Sequence, residues 1–388
     1  MPAASQKRPM IVAPKAIPFI DLEAQRQRLR APIDAALSRV LEHNQFILGP
    51  EVRTLEHELA QFCGAKHVIS CANGTDAIAL VLMAQGVGPG HAILCPSFTF
   101  AATAEAVAWV GATALFVDVR ADTFNIDPNS LELGIDTAKK QGLVPVGLIS
   151  VDLFGQPCDY ERIEPICNRH GLWLLSDAAQ SFGASYNERK VGTIGLATTT
   201  SFFPAKPLGC YGDGGAICTD DPLLSQLLRS LRVHGEGVDK YDNVRVGLNS
   251  RLDTIQAAIL IEKLKIFNEE IKHRNIIAER YHAELADLAV TPTVLDGCTS
   301  IWAQYTIRVD AGKRDALASG LQAEGIPTAI YYRKPLHLQP AYRHCPTAGN
   351  GLPISESIAQ EVVSLPMHAY LGAADQARII EAVRRALR

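Results

Sequence analysis

The feature that most constrains the fold is an alternation of short apolar runs with helix-like stretches between residues 67 and 220. The runs lie at 91–95, 115–117, 144–151, 172–175, 199–203 and 216–219. Short buried runs separated by helical segments are typical of parallel strands joined by crossover helices. The alternation therefore predicts an α/β fold in which helices cover a largely parallel sheet.

Polar residues at the ends of these runs indicate where a ligand would bind. Asp118, Asp152 and Asp177 each stand at such an end. Open α/β sheets bind ligands just beyond the carboxyl ends of their strands. The binding site is therefore expected at these junctions.

The chain divides into a large and a small part. Its 388 residues are 47% hydrophobic and 20% charged, which is enough apolar surface for more than one core. Residues 253–288 lack Gly and Pro and predict a long helix. The predicted order is a loose N-terminal leader, a large domain, a connecting helix and a small α+β domain, at 1–18, 19–252, 253–290 and 291–388.

Composition narrows the class of partner. The 37 Lys and Arg against 41 Asp and Glu give a net charge of −4, and no basic run is interleaved with aromatics, so no nucleic-acid partner is expected. The sequence contains no run of about 18 apolar residues, so no membrane span is expected. The nine cysteines include no C-x-x-C pair and lie mostly inside apolar runs, as reduced thiols of cytoplasmic proteins do. Neither a disulfide scaffold nor a metal site is therefore expected.

Several common catalytic motifs are absent. The sequence has no G-x-G-x-x-G or G-x-x-x-x-G-K-[ST] phosphate loop, no H-E-x-x-H and no G-x-S-x-G. Dinucleotide-binding dehydrogenases, P-loop enzymes, zinc proteases and serine hydrolases are therefore disfavoured.

Two segments carry the residues of a different chemistry. Asp177 and Gln180 follow an apolar run, and Lys206 lies among apolar residues and prolines before a glycine-dense turn. Alone, such an Asp often caps a helix, and most lysines are solvated. Together the three supply what pyridoxal phosphate needs, namely an amine for a Schiff base, an acid partner for the ring nitrogen and a donor near the ring hydroxyl.

The sequence resembles the DegT/DnrJ/StrS family of sugar aminotransferases, within the aspartate aminotransferase superfamily of fold type I. The resemblance covers almost the whole chain. Besides the Asp177 and Lys206 segments, its motifs are Asn73-Gly74-Thr75-Asp76-Ala77, Pro96-Ser97-Phe98-Thr99-Phe100 and Gly247-Leu248-Asn249-Ser250-Arg251-Leu252-Asp253. The resemblance implies a large, mostly parallel seven-stranded sheet domain, a smaller C-terminal domain, a pyridoxal 5′-phosphate cofactor and a homodimer with shared active sites.

The resemblance also assigns roles. Lys206 is expected to bond the cofactor and move a proton, Asp177 to pair with the ring nitrogen, and Gln180 to hydrogen-bond the ring hydroxyl. Phe100 is expected on the ring face, although without the resemblance it would be an ordinary core aromatic. The residues expected at the phosphate are Gly74, Thr75, Asp76, Ser201 and, from the neighbouring subunit, Asn249, which alone would be a plain loop residue.

Lys206 favours aminotransfer, because a histidine replaces this lysine in the family's dehydratase branch. The implied donor is L-glutamate and the acceptor a nucleotide-linked keto sugar. The segments around Lys206 and Arg251 most resemble members that aminate C3 of UDP-2-acetamido-2-deoxy-3-oxo-glucuronate for surface polysaccharides such as O-antigen. Arg251 could grip the sugar carboxylate or pair with a structural acid. Tyr331 and His337 are candidate sugar contacts, with a surface turn as the other interpretation of His337.

Two alternatives stay open at this point. One is a 4-keto nucleotide-sugar aminotransferase of the perosamine or viosamine type. The other is a non-catalytic regulatory protein of the same fold, against which the intact Lys206, Asp177 and Gln180 speak.

Overall fold

The computed structural model describes residues 16–239 and 241–388, so residues 1–15 of the predicted leader lie outside the described part. The α-helices are α1 Leu22–Arg28, α2 Arg30–His43, α3 Pro50–Cys63, α4 Gly74–Ala84, α5 Ala102–Trp109, α6 Pro128–Lys140, α7 Tyr160–His170, α8 Pro222–Leu231, α9 Thr254–Leu285, α10 Ala311–Ala323, α11 Pro353–Glu361 and α12 Ala373–Leu387. The strands are β1 His67–Cys71, β2 His91–Pro96, β3 Thr113–Val117, β4 Val144–Val151, β5 Trp173–Asp177, β6 Ser185–Tyr186, β7 Arg189–Lys190, β8 Ala197–Ser201, β9 Gly215–Thr219, β10 Cys298–Thr299, β11 Tyr305–Arg308 and β12 Val362–Leu365.

A seven-stranded sheet with the order β1-β9-β8-β5-β4-β2-β3 forms the centre of the large domain. Strands β8, β5, β4, β2 and β3 are parallel neighbours, whereas β9 runs antiparallel to both β1 and β8. The predicted α/β fold with a large, mostly parallel sheet is therefore confirmed.

Helices cover both faces of this sheet. Alternate residues of a strand point to opposite faces. Accordingly, Val68 and Cys218 pack with α3 and α9 on one face, while Ile69 and Ile217 pack with α4 and α5 on the other. The strands are thus buried on both sides, which explains why they appear in the sequence as apolar runs rather than as an alternating pattern.

The long helix α9 occupies the stretch for which the sequence predicts a connecting helix. Its first half packs on α2 and α3. Its last turns contribute Ile277, Tyr281 and Leu285 to the core of the small domain, where β11 and β12 pair antiparallel. Within the described ranges, no helix combines the length and the apolar character needed to cross a membrane.

Candidate active site

The carboxyl ends of β5 and β8 bring Asp177 and Ser201 together. Asp177 pairs with Thr199 in the parallel register, and side chains alternate along a strand, so Ser201 lies on the same face as Asp177. The N-terminus of α4 lies against that face. A Cβ on Gly74 would be only 2.8 Å from the Ser201 Cβ, so the close approach requires glycine.

The first turn of α4 offers backbone donors to an anion. Asn73 caps the helix, and its Oδ1 accepts the N–H of Asp76 at 2.8 Å. The N–H groups of Gly74 and Thr75 have no acceptor within the helix, and they lie at the positive end of its dipole. Two of the three predicted backbone donors are therefore available together with the Ser201 hydroxyl, whereas the Asp76 N–H is already used by the cap.

Asp177 is buried, and one of its carboxylate oxygens is used within the chain. Its Oδ1 accepts the N–H of Ala179 at 3.0 Å, which is the capping type of bond that the sequence also allowed. Burial raises the pKa of Asp177, and the Ala179 N–H and the charge of Lys206 oppose that rise. A buried carboxylate with one oxygen left over is suited to a cationic partner.

Lys206 stands in the loop between β8 and β9, where its own N–H donates to the Phe203 carbonyl at 2.8 Å. Burial lowers the pKa of the Lys206 amine, and the charge of Asp177 opposes that change. A lowered pKa increases the neutral fraction of the amine, which is the nucleophilic form. The charges of Lys206 and Asp177 therefore act on each other.

The amide of Gln180 has a defined orientation. Its Oε1 accepts the N–H of Phe154 at 2.8 Å, and its Nε2 donates to the hydroxyl of Tyr332 at 3.3 Å. Phe154 holds a left-handed backbone conformation with φ +61°, which aims its N–H at the amide. Since the amide oxygen is used, the side chain presents a donor to a ligand.

Tyr332 belongs to this site, although the family resemblance pointed to its neighbour Tyr331. The Tyr331 ring lies 6.4 Å from that of Phe19, whereas the Tyr332 ring lies 6.4 Å from that of Phe100 and its hydroxyl reaches Gln180. In the structure Tyr331 and Tyr332 lie outside the helices and strands, so the alternation of a strand does not decide which of the two rings turns inward.

Phe100 is not a core residue. Its side chain is 59% exposed, so the interpretation as an ordinary core aromatic is wrong. The ring is instead a flat apolar surface beside Tyr332 that a planar ligand can stack on.

His337 joins its own turn to the end of β2 and to α11. Its Nδ1 lies 2.6 Å from the Ser97 Oγ and its Nε2 lies 3.1 Å from a Glu356 carboxylate oxygen. The side chain is only 8% exposed, so the surface-turn interpretation is wrong. Both ring nitrogens are engaged, which favours a tie between this turn and the end of β2 over a sugar contact.

Asn249 and Arg251 flank Ser250, which is held through both its backbone and its side chain. The Ser250 N–H donates to the Arg232 carbonyl at 2.9 Å. The Ser250 Oγ accepts the N–H of Ala72 at 3.2 Å, beside the start of α4. Asn249 is exposed and Arg251 partly exposed. No carboxylate in the described part of the chain pairs with Arg251, whereas the nearby Arg232 is paired with Glu56 at 2.6 Å. The alternative of a structural ion pair for Arg251 therefore has no support.

These residues fit pyridoxal phosphate. The start of α4 and Ser201 match its phosphate, Asp177 its ring nitrogen, Gln180 its ring hydroxyl and Lys206 its aldehyde. No group of three or more His, Cys, Asp or Glu side chains among the described residues could hold a metal ion.

Comparisons with known proteins agree with this chemistry. The profile of the DegT/DnrJ/EryC1/StrS aminotransferase family matches residues 27–384. The chain is 47% identical over 359 residues to the UDP-2-acetamido-2-deoxy-3-oxo-D-glucuronate aminotransferase of Pseudomonas aeruginosa, covering 92% of this chain and 97% of that protein. It is 43% identical over 371 residues to a pleiotropic regulatory protein of Geobacillus stearothermophilus, covering 95% and 97%. The crystal structure of a DegT DnrJ EryC1 StrS aminotransferase from Brucella abortus superimposes with a TM-score of 0.94 at 52% identity, covering 96% of this chain and 99% of that one.

Proposed function

Because the chain belongs to the DegT/DnrJ/EryC1/StrS aminotransferase family, we propose that it transfers the amino group of L-glutamate to C3 of UDP-2-acetamido-2-deoxy-3-oxo-glucuronate. The chain is a pyridoxal-phosphate-dependent aminotransferase of fold type I. The observation that carries the substrate assignment is Arg251, a guanidinium without a carboxylate partner among the described residues, in a chain whose P. aeruginosa relative is named for a uronate.

The residues of the site divide the work of the reaction. Bound pyridoxal phosphate supplies an electron sink for the bond that breaks at the substrate carbon. Asp177 would keep the proton on the ring nitrogen, and Lys206 would move a proton between the substrate Cα and the C4′ carbon of the cofactor. Phe100 fixes the ring plane, and the free N–H groups of Gly74 and Thr75 hold the phosphate.

Replacing Gln180 with glutamate is expected to lower kcat by about 10- to 100-fold. The carboxylate can still accept the Phe154 N–H, but it has no donor for the ring hydroxyl and adds a negative charge beside it. Losing a hydrogen bond to a charged group costs about 1.5–3 kcal/mol, which gives roughly this factor. Steady-state kinetics with saturating substrates measures it, and thermal melts should stay close to those of the parent. An unchanged kcat would remove Gln180 from the proposed mechanism.

Replacing Arg251 with methionine is expected to lower kcat/KM for the uronate by about 10- to 100-fold, since it removes a charge-assisted, bidentate contact. A neutral 3-keto analogue should lose little, because it has no carboxylate to grip. Arg245→Met is the matched control. Arg245 and Arg251 line one surface groove, but Arg245 is bonded to the Ser230 hydroxyl. Equal losses for both substrates in the Arg251 variant would contradict the carboxylate role.

A spectrophotometric screen tests the function as a whole. L-Glutamate should abolish the visible absorbance band of the protein with bound pyridoxal phosphate. Only the correct nucleotide-linked keto sugar should restore that band. Turnover of a 4-keto sugar alone would favour the perosamine or viosamine type. A protein whose absorbance does not respond to L-glutamate would favour the regulatory alternative, for which the G. stearothermophilus relative is named.

The proposal includes a homodimer that works in the cytoplasm and supplies amino sugars for O-antigen and other lipopolysaccharide. Asn249 is exposed, so it is available to reach the cofactor phosphate of a neighbouring subunit. The loop before it exposes the apolar side chains of Val238, Val244 and Val246. Exposed apolar side chains in one loop favour a protein partner over bulk water.

A further inference from the structure

A second lysine lies beneath the segment that carries Lys206. Lys263 of α9 is only 1% exposed. Its Nζ donates to the carbonyl of Gly209 at 2.6 Å and lies 4.2 Å from the ring centroid of Tyr211. Burial lowers the pKa of Lys263 to about 8. An ammonium group is costly to bury, and here its hydrogen bond and its ring contact are both made to one segment.

That segment, residues 202–212, is a closed loop that we name the Lys206 loop. The Cys210 N–H donates to the Phe202 carbonyl at 2.8 Å and so joins the two stems of the loop. A Cβ on Gly209 would lie 2.5 Å from the Pro204 carbonyl oxygen, so the chain packs tightly against itself there. The Gly209 carbonyl therefore stands at the base from which Lys206 projects.

Helix α9 holds this base at two points. Gln256 accepts the Tyr211 N–H on its Oε1 at 2.9 Å, and Lys263 binds the Gly209 carbonyl. The two residues are seven positions apart, which is about two helical turns, and so they share one face of α9. The helix thus provides a rigid platform under the Lys206 loop.

We propose that Lys263 is a positioning residue that fixes the Lys206 loop on α9 and so keeps the Lys206 amine aligned with Asp177. The catalytic consequence rests on the proposed function of Lys206. The mechanical part does not, because the contacts of Lys263 are made by the protein alone.

Hydrogen exchange of the full chain, with and without added pyridoxal phosphate, tests this role. In Lys263→Met the amides of Lys206 and Cys210 should exchange about tenfold faster or more, as expected when a hydrogen bond from a charged group is lost. Lys263→Arg should restore most of the protection, since it keeps a charged donor. Arg274→Met is the control: it removes a buried cation of the same helix, bonded to the carbonyls of Trp302 and Met367, and should leave the loop unchanged.

Kinetics supplies the second measurement. In Lys263→Met, kcat should fall about tenfold while KM for L-glutamate changes less than twofold, and Lys263→Arg should recover kcat. Unchanged exchange in the loop, or an equal increase throughout the chain, would overturn the positioning role. If the wild-type chain catalyses no aminotransfer, the proposed function fails, and the exchange measurement still decides whether Lys263 holds the loop.

Discussion

Replacing Lys206 with alanine is expected to abolish aminotransfer, with kcat lower by roughly 10⁴-fold or more, because one side chain both bonds the cofactor and moves the proton. The fold should survive. Burial lowers the pKa of the Lys206 amine, so in the cofactor-free protein the buried ammonium group opposes folding. The alanine variant removes that group and leaves Asp177 as the one charge that has lost a partner. Rapid mixing with L-glutamate under single-turnover conditions gives the rate.

A matched variant separates the two properties of Lys206. Lys206→Arg keeps a cation near Asp177 but cannot form a Schiff base, and it should be as inactive as the alanine variant. Both should still bind pyridoxal phosphate, measured by equilibrium dialysis, because the N–H groups at the start of α4 and the Ser201 hydroxyl are intact. Near-native turnover in either variant would show that Lys206 is not the cofactor lysine.

The sheet was predictable from the sequence because strands buried on both faces leave continuous apolar runs. The direction of each strand was harder to predict. The run at 216–219 is apolar like the runs of the parallel strands, yet β9 is antiparallel to both β1 and β8. The reason is the connection: β8 and β9 are joined by the Lys206 loop rather than by a crossover helix, and a short connection reverses the chain.

Asp177 was a candidate from the apolar run that precedes it, whereas Ser201 and Gly74 were expected only through the family resemblance. In the structure Asp177 and Ser201 stand at strand ends and Gly74 begins a helix. Tyr332 and His337 lie in an irregular segment, and their partners Gln180 and Ser97 are distant in sequence. Such contacts depend on how the small domain packs on the large one, which no local pattern encodes.

Replacing Asp177 with asparagine is expected to lower kcat by roughly 10²- to 10³-fold. The amide oxygen can still accept the Ala179 N–H, so the turn is kept, but no negative charge remains to hold the proton on the ring nitrogen. Removing one partner of a buried ion pair costs about 3–5 kcal/mol, which sets this scale. Unlike the Lys206 variants, this one should keep the visible absorbance of covalently bound cofactor, because its lysine is intact.

The stability of the same variant is expected to change in the opposite sense when no cofactor is bound. Burial raises the pKa of Asp177 in the folded chain, so its contribution to stability is present below the unfolded pKa and is lost as the pH rises through the folded pKa. Asparagine carries no such loss. Cofactor-free Asp177→Asn should therefore melt at least as high as the parent at pH 7, and this advantage should shrink towards pH 4. A variant that melts lower at pH 7 and equally at pH 4 would mean that the carboxylate is already paired within the chain, and that its charge is not held in reserve for the ring.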